Sequence, residues 1–255
     1  MIRYSRVARV AGFAVLLTAC ARDHTKTAAA KAEITVAAAA NLVDVFGQIG
    51  PRFEAQTGIH PVFSFASTAQ LTQQIENSAP FDVFAAADSE HVAKLESEKL
   101  LVPGSRAVYA LGVLAMWIPP GSKGQINRLE DLDSPSVRVV AIANPALAPY
   151  GKAALDLLER RADWPQLKPK IVYAENISMA KQYGTSHNAD VVFTAYSLVL
   201  HEGGKVIRVS REGLQQELAI VATSQHRPEA QKFVDFLLHG KGREILRQFG
   251  YEHSQ

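Results

Sequence analysis

The chain has 255 residues, of which 47% are hydrophobic and 20% charged, and its formal net charge is +2. This length and apolar content suit one large or two medium α/β domains with their own core, and they exclude a disordered chain. The single cysteine excludes a disulfide-stapled small protein, and nothing after residue 20 approaches the apolar length of a membrane span.

The first twenty residues have the pattern of an export signal. Arg3, Arg6 and Arg9 precede the apolar stretch 10–19, which is too short to cross a bilayer. The stretch ends in LTAC, where Cys20 is the only cysteine of the chain. This ending resembles a bacterial lipobox, in which a peptidase cuts before the cysteine and its thiol carries a diacylglycerol. A plain secretory signal with an incidental cysteine is the alternative, and the position of Cys20 favours the lipobox.

The segment after the signal is small and polar. Residues 20–32 show no periodicity, which predicts a tether behind a lipoprotein signal at 1–19. Removing the signal takes away its arginines and no acidic residue, so the exported chain carries a slight excess of acid. That balance excludes a basic nucleic-acid-binding protein. We expect the protein in the bacterial cell envelope, periplasmic and anchored by lipid.

Strand and helix patterns alternate through the rest of the chain. The predicted strands cover 33–40, 61–65, 81–87, 108–118, 137–143, 170–173, 190–195 and 217–222. The predicted helices run from Leu42 to Gly58, with Pro51 kinking or splitting the helix, from Ser67 through Ile75, and over 91–101, 151–161, 177–183, 228–238 and 242–249. This alternation predicts parallel sheets flanked by helices, and Pro119-Pro120-Gly121 is a natural crossing point between two lobes.

Four strand-to-helix junctions carry small or hydrogen-bonding residues. They are Ala40-Asn41, Ser67-Thr68, residues 148–151 and residues 176–178. Ligands of open α/β sheets bind beyond the carboxyl ends of strands, and each helix N-terminus offers unpaired N–H groups with partial positive charge. Several such ends can hold an anion without lysine or arginine. The alternative is that these residues only cap their helices.

Several motifs together resemble a known family. They are AAAAN at 37–41, SFAST at 64–68, SAPFDVFAAAD at 78–88, VPGSRAVY at 102–109 and NPALAPYGK at 144–152. The chain resembles the molybdate-binding proteins of ABC transporters over nearly all of residues 33–252.

The resemblance implies an α/β, two-lobed type II periplasmic-binding-protein fold. Each lobe would be a mainly parallel sheet flanked by helices, with the ligand in the interlobe cleft; lobe 1 would span 33–110 plus 216–255, and lobe 2 would span 111–215. The implied function is capture of molybdate, and of tungstate, for the permease of an ABC importer, by a monomer that is not an enzyme. No cofactor is implied, because molybdenum enters only as the bound oxyanion.

The resemblance also implies the ligand-binding residues. Asn41 matches a Ser or Asn of the first loop that contacts the anion, with Ala40 beside it, and Thr68 matches a hydroxyl residue of the second loop, with Ser67 beside it. Tyr150 matches a tyrosine ligand of some members, and Ile177 a residue that donates its backbone N–H. Phe193 falls where some members carry a tyrosine, so either the Tyr150 hydroxyl takes the place of that donor or the site has lost a donor and some affinity.

The chemistry of the ligand constrains this site. An unprotonated dianion only accepts hydrogen bonds, so its pocket should present only donors such as amides and hydroxyls. The nearby carboxylates of Asp44, Asp82 and Asp88 should therefore point away or cap backbone amides.

Other functions stay open at this point. A sulfate receptor of the same fold and an anion-sensing lipoprotein are the nearest alternatives. A hydrolase could be assembled from Ser64, Ser67 and one of eight histidines, but no G-x-S-x-G, H-E-x-x-H or phosphate-loop motif occurs.

Overall fold

The computed structural model describes residues 32–122, 125–209 and 213–252, all within one unit that spans residues 31–255. The predicted signal segment, Cys20 and all of the tether before residue 32 lie outside the described residues. Within the described residues, no helix is long and apolar enough to span a bilayer.

The strands follow the predicted order, with one addition and one division. In chain order they are β1 Glu33–Ala39, β2 His60–Ala66, β3 Val83–Ala85, β4 Ala107–Gly112, β5 Leu114–Ile118, β6 Val140–Ala143, β7 Ile171–Ala174, β8 Val191–Ala195, β9 Lys205–Arg208 and β10 Leu214–Ile220. Strand β9 was not predicted, because it is a short edge strand of four residues with Lys205 and Arg208 at its ends, and it pairs with β5.

The helices begin close to the predicted junctions. They are α1 Val43–Thr57, α2 Thr68–Glu76, α3 Glu90–Ser97, α4 Pro149–Glu159, α5 Trp164–Leu167, α6 Ile177–Thr185, α7 Tyr196–Val199, α8 Arg227–Leu238 and α9 Lys241–Gln248. A short 3-10 helix over Ala40–Leu42 leads from β1 into α1.

Helix α1 runs through Pro51 without being split, so of the predicted kink or split at this residue, the split is wrong. Proline removes one backbone hydrogen bond, at a cost of about 3 kcal/mol in a helix interior. Phe46, Ile49 and Phe53 of the same helix are fully buried, and complete burial of such side chains contributes about 1.5–3 kcal/mol each. Their packing outweighs the lost bond, and the helix ends as predicted at Gly58, which adopts φ +74°.

The first sheet has the strand order β2-β1-β3-β10-β4. Strand β1 pairs in parallel with β2 and β3, whereas β10 is antiparallel to both β3 and β4. The second sheet repeats this arrangement in the order β7-β6-β8-β5-β9, with β5 as its antiparallel strand. Each sheet is therefore mainly parallel, and this confirms the predicted fold class.

The prediction of a single strand over residues 108–118 is wrong. Its first part is β4 of the first sheet and its second part is β5 of the second sheet, so the backbone crosses at Val113 and not at residues 119–121. Both parts are largely buried and read as one apolar run. Hydrophobic periodicity cannot show that such a run passes from one sheet to another.

Both faces of each sheet are covered by apolar side chains. One face of the first sheet packs against α1 and α8, and the other packs against α2 and α3. The core on one face of the second sheet extends to Ala39, Ala40 and Ala87, which follow strands of the first sheet. The two sheets thus meet at the carboxyl ends of their strands.

Gly151 lets α4 approach the end of β6 closely. A Cβ atom at this position would lie 2.2 Å from the backbone oxygen of Ala143 and 2.7 Å from its carbonyl carbon. No side chain fits there without moving the helix, so the glycine fixes the place of its neighbour Tyr150.

We expect Gly151→Ala to destabilise the protein. Alanine gains up to about 1 kcal/mol of helix propensity over glycine, but the backbone clash costs about 1–3 kcal/mol or more. Gly47→Ala in α1 is the matched control, because nothing lies within 4 Å of the added Cβ atom and only the gain remains. Urea unfolding of both variants measures the difference, and equal stabilisation by the two substitutions would contradict the steric argument.

Candidate functional site

A small cavity of about 10 Å³ lies where the two sheets meet. Its lining comes from the ends of β1, β2, β3, β6 and β7 and from the helix starts that follow them. The lining residues are Ala39, Ala40, Asn41, Ser67, Thr68, Ala87, Ala148, Pro149, Tyr150 and Ile177. All six residues predicted as ligands line this cavity, and none of the ten lining residues carries a charge.

The start of α2 supplies one free hydroxyl proton. Ser67 caps the helix, and its hydroxyl donates to Gln70 Oε1 at 2.6 Å, so that proton is already used. Thr68 Oγ1 accepts a hydrogen bond from the Ala87 backbone N–H at 3.2 Å. The Thr68 hydroxyl thereby keeps its own proton for a ligand in the cavity.

The start of α6 supplies a backbone donor. Asn176 caps the helix, and its Oδ1 accepts from the Met179 N–H at 3.0 Å. Ile177 is the first residue of α6, and an N–H at that position has no partner within the helix. Ile177 is one of the residues that line the cavity.

Asn41 has an unusual hydrogen-bond arrangement. Its Nδ2 donates to Gln216 Oε1 at 3.0 Å and to the Tyr251 hydroxyl at 2.9 Å, and neither partner lines the cavity. Its Oδ1 is buried without a hydrogen-bond partner in the structure, although the whole residue is only 1% exposed. Such an unpaired buried acceptor costs about 1–3 kcal/mol.

Tyr150 reaches into the same polar cluster from the second sheet. Its hydroxyl oxygen accepts from Gln216 Nε2 at 2.8 Å. Gln216 Oε1 also lies 2.8 Å from the hydroxyl of Tyr109, and the Ser197 hydroxyl donates to that of Tyr251 at 3.1 Å. Gln216, Tyr109, Tyr251 and Ser197 were not predicted. These residues form hydrogen bonds to Asn41 and Tyr150 or to one another, on the side away from the cavity. No local motif in the sequence marks them.

The acidic residues near the cavity are engaged elsewhere, as expected. Asp82 accepts from the Thr35 N–H at 2.8 Å and from the Ser224 hydroxyl at 2.6 Å. Asp88 binds His91, and this hydrogen bond raises the pKa of the imidazole. Asp44 lies 3.4 Å from Lys181. The cavity therefore faces no carboxylate.

Phe193, where some family members carry a tyrosine, does not line the cavity. It lies in β8, fully buried in the core of the second sheet.

No group of three or more potential metal-ligating side chains occurs in the part of the chain that the structure describes.

Hydrogen bonds also join the two sides of the cleft. The Ala69 N–H donates to the Leu147 carbonyl at 3.1 Å, and Gln70 Nε2 donates to Glu175. With the bond between Gln216 and Tyr150, these contacts describe a closed cleft.

Comparison with known proteins identifies close relatives. The profile of the family described as bacterial extracellular solute-binding protein matches residues 34–252. The chain is 33% identical to molybdate-binding protein ModA of Rhodobacter capsulatus over 227 residues, covering 88% of this chain and 89% of that protein. It is 36% identical to ModA of Azotobacter vinelandii over 233 residues, covering 88% and 91%.

A solved structure agrees with these matches. The periplasmic molybdate-binding protein of Azotobacter vinelandii superposes with a TM-score of 0.82 at 29% sequence identity. The match covers 87% of this chain and 100% of that structure.

We expect the buried tyrosines behind the cavity to make the protein unstable in alkali. Burial raises the pKa of Tyr109, Tyr150 and Tyr251 above the ordinary value near 10. The unfolded chain then loses these protons at lower pH than the folded protein does. The contribution of the three phenols to the free energy of unfolding is therefore fully present below about pH 10 and is lost as the pH rises further. Each phenol contributes a slope of up to about 1.4 kcal/mol per pH unit.

Urea unfolding between about pH 9 and pH 11 measures this slope. Tyr150→Phe removes one of the three phenols and should flatten the curve by its share. A free energy of unfolding that does not change with pH in this range would contradict the expectation.

Proposed function

Because the chain belongs to the bacterial extracellular solute-binding protein family, we propose that it captures molybdate outside the cytoplasm and delivers it to an ABC importer. Tungstate, which has the same shape and charge, is the expected second ligand. Its relatives are substrate-binding transport proteins, and on this proposal the anion is released unchanged.

One observation carries the proposal: an uncharged, buried cavity is surrounded by hydrogen-bond donors at the starts of several helices. Helix N-termini carry partial positive charge, and they stabilise an anion in a site that excludes lysine, arginine and water. An amino-acid ligand would need fixed charges to hold its amine and carboxylate groups. The residues that line this cavity provide neither a positive nor a negative charge.

The lining of the cavity supports the following assignment of donors in this proposal. The Thr68 and Tyr150 hydroxyls and the Ile177 N–H face the anion, and the backbone of Ala40 and Asn41 contributes at the end of β1. Ser67 lines the site and fixes the start of α2 through its bond to Gln70. These rigid helix ends select the anion by size.

Asn41 contributes through its backbone at the end of β1. Both protons of its Nδ2 are already donated, one to Gln216 Oε1 and one to the Tyr251 hydroxyl, and Tyr251 donates its own proton to the Asn41 carbonyl at 2.9 Å. The side-chain amide therefore holds the end of β1 in place against Gln216 and Tyr251.

Release requires the two lobes to separate; the structure moves their predicted boundaries at 110/111 and 215/216 slightly, since Gly112 and Leu214 still belong to the first sheet. Opening breaks the Ala69–Leu147 and Gln70–Glu175 bonds across the cleft. Closure around the anion presents a surface formed by both lobes to the permease, as hinge closure does in binding proteins of this architecture. The protein acts as a monomer in this scheme, held at the membrane by lipid on Cys20.

A thermal-shift panel with molybdate, tungstate, sulfate and phosphate tests the function. At a ligand concentration about a hundredfold above Kd, binding adds roughly 2.7 kcal/mol of stability. For a chain of this size we expect molybdate and tungstate to raise Tm by about 5–11 °C. A shift with sulfate alone would identify a sulfate receptor, and no shift with any of the four anions would refute the proposal.

Substitutions in the cavity test the assigned donors. Thr68→Val and Tyr150→Phe should each weaken molybdate binding by about 1–3 kcal/mol, because each removes a donor to a charged acceptor. Asn41→Asp should weaken it more, because it replaces a donor by a negative charge. Isothermal titration calorimetry measures the three affinities.

The matched controls are Tyr173→Phe and Asn188→Asp, which make the same chemical changes at exposed positions. We expect both controls to bind as the unmodified protein does. Unchanged affinity in all three cavity variants would refute the assignment of these residues as ligands, and the fold assignment would stand.

Cys20→Ser tests the lipid anchor. It should release the protein from the membrane fraction and leave molybdate affinity unchanged, because Cys20 lies outside residues 32–252, which contain the cavity. Fractionation of cells that produce either form, followed by immunoblotting, measures the change. Membrane retention of Cys20→Ser would contradict the lipobox interpretation.

A further inference from the structure

Gln216 is fully buried in β10 and touches two residues of the cavity wall without lining the cavity itself. It belongs to the first sheet, whereas its partner Tyr150 begins a helix of the second sheet. The register of β10 against β4 shifts between Gln216 and Glu217. Irregularities of this kind redirect a side chain out of the ordinary alternation of a strand.

The orientation of the Gln216 amide is fixed by its contact with Asn41. Its Oε1 lies 3.0 Å from Asn41 Nδ2, which can only donate. The Tyr109 hydroxyl lies 2.8 Å from the same Oε1, and its single proton is shared between that oxygen and the Ala86 carbonyl at 2.9 Å. With Oε1 toward Asn41, Nε2 is the atom that lies 2.8 Å from the Tyr150 hydroxyl oxygen.

This orientation decides what Tyr150 offers to the cavity. A phenol has one proton, and its oxygen here is already accepting from Gln216. The proton is therefore free to point into the cavity, and accepting one hydrogen bond strengthens the hydroxyl as a donor of another. If Gln216 presented an oxygen instead, Tyr150 would donate to it and turn only lone pairs toward the ligand.

Gly112 keeps the space for this contact. A Cβ atom at Gly112 would lie 2.0 Å from the Tyr150 hydroxyl oxygen and 2.1 Å from Gln216 Nε2. Gly112 ends β4, one residue before the backbone crosses to the second sheet. The hydrogen bond between the two sheets thus passes beside the connection on which the lobes turn.

We propose that Gln216 is a positioning residue that fixes the Tyr150 hydroxyl as a donor to the bound anion and does so only when the lobes are closed. The inference rests on the proposed function and deepens it. Since a hydroxyl held as a donor favours an anion that only accepts hydrogen bonds, Gln216 contributes to selection of unprotonated dianions.

Gln216→Glu tests the inference because the new side chain has the same shape. An ionised carboxylate can only accept hydrogen bonds, so the Tyr150 hydroxyl donates its hydrogen bond to the carboxylate and not to the ligand. The carboxylate also adds a negative charge behind the cavity. A protonated carboxyl group can again donate to Tyr150. Burial raises the pKa of a carboxyl group, so the exchange between the two forms falls within the pH range where folded protein can be measured.

The titratable groups around position 216 are common to Gln216→Glu and the unmodified protein, so their titration cancels in the comparison. Tyr109 on β4, Tyr150 on α4 and Tyr251 after α9 all have a pKa raised by burial. Glu217, the next residue of β10, is paired with Arg106. The acidic residues nearest the tyrosines are Asp88, paired with His91, and Asp44, paired with Lys181.

We expect the affinity of Gln216→Glu for molybdate to fall at least about tenfold between about pH 6 and pH 9, as the introduced carboxyl ionises. The unmodified protein and the control Gln48→Glu, exposed on α1, should show no such fall. Calorimetric titration with sodium molybdate at each pH measures it. A purely structural role for Gln216 would give no pH dependence specific to this variant.

A double-mutant cycle gives a second measurement that does not need the Glu variant. Gln216→Met cannot donate, so it should weaken molybdate binding about tenfold in the unmodified protein and have little further effect in Tyr150→Phe. Additive losses would overturn the inference, since they would mean that Gln216 acts independently of the Tyr150 hydroxyl.

The outcomes separate the two proposals. If the unmodified protein binds molybdate and Gln216→Glu binds equally well at every pH, the inference is overturned and the function stands. If the unmodified protein binds no oxyanion, the proposed function fails and the inference fails with it.

Discussion

On the proposed function, the constraint on which this structure depends is that a buried negative charge must be stabilised without a positive one. The cavity wall contains no charged residue, so stabilisation falls to N–H and O–H groups at the carboxyl ends of strands in both sheets. Parallel strands bring such ends to one edge of a sheet, and the helices that follow begin there. The mainly parallel sheets, the small residues that end β1 and the close approach at Gly151 all serve that one requirement.

The wall of the site could be predicted because its signals are local. A short apolar strand that runs into Asn41, or into Ser67 and Thr68, marks a helix start in the sequence, and the resemblance adds Tyr150 and Ile177. The structure brings all six predicted residues to one cavity, while their contact with an anion stays a prediction. The fold class was predictable for the same reason, since alternation of strands and helices is read along the chain.

The second layer of the site could not be predicted. Gln216 and Tyr251 are 175 and 210 positions away from Asn41 in the sequence, and no local motif around them predicts that they contact it. The division of the apolar run 108–118 between two sheets was missed because both parts are buried. Pro51 was expected to break a helix that its apolar face holds together. In each case long-range packing decides what a local pattern leaves open.

The place of β10 also bears on how the chain acquires its fold. It lies between β3 and β4, so the first sheet is left with a gap until residues 214–220 have been made. Pairings between distant segments form slowly, because a long loop must close before they contribute stability. An amino-terminal fragment that ends before β10 therefore cannot complete this sheet, and the first lobe closes only after nearly the whole chain is present.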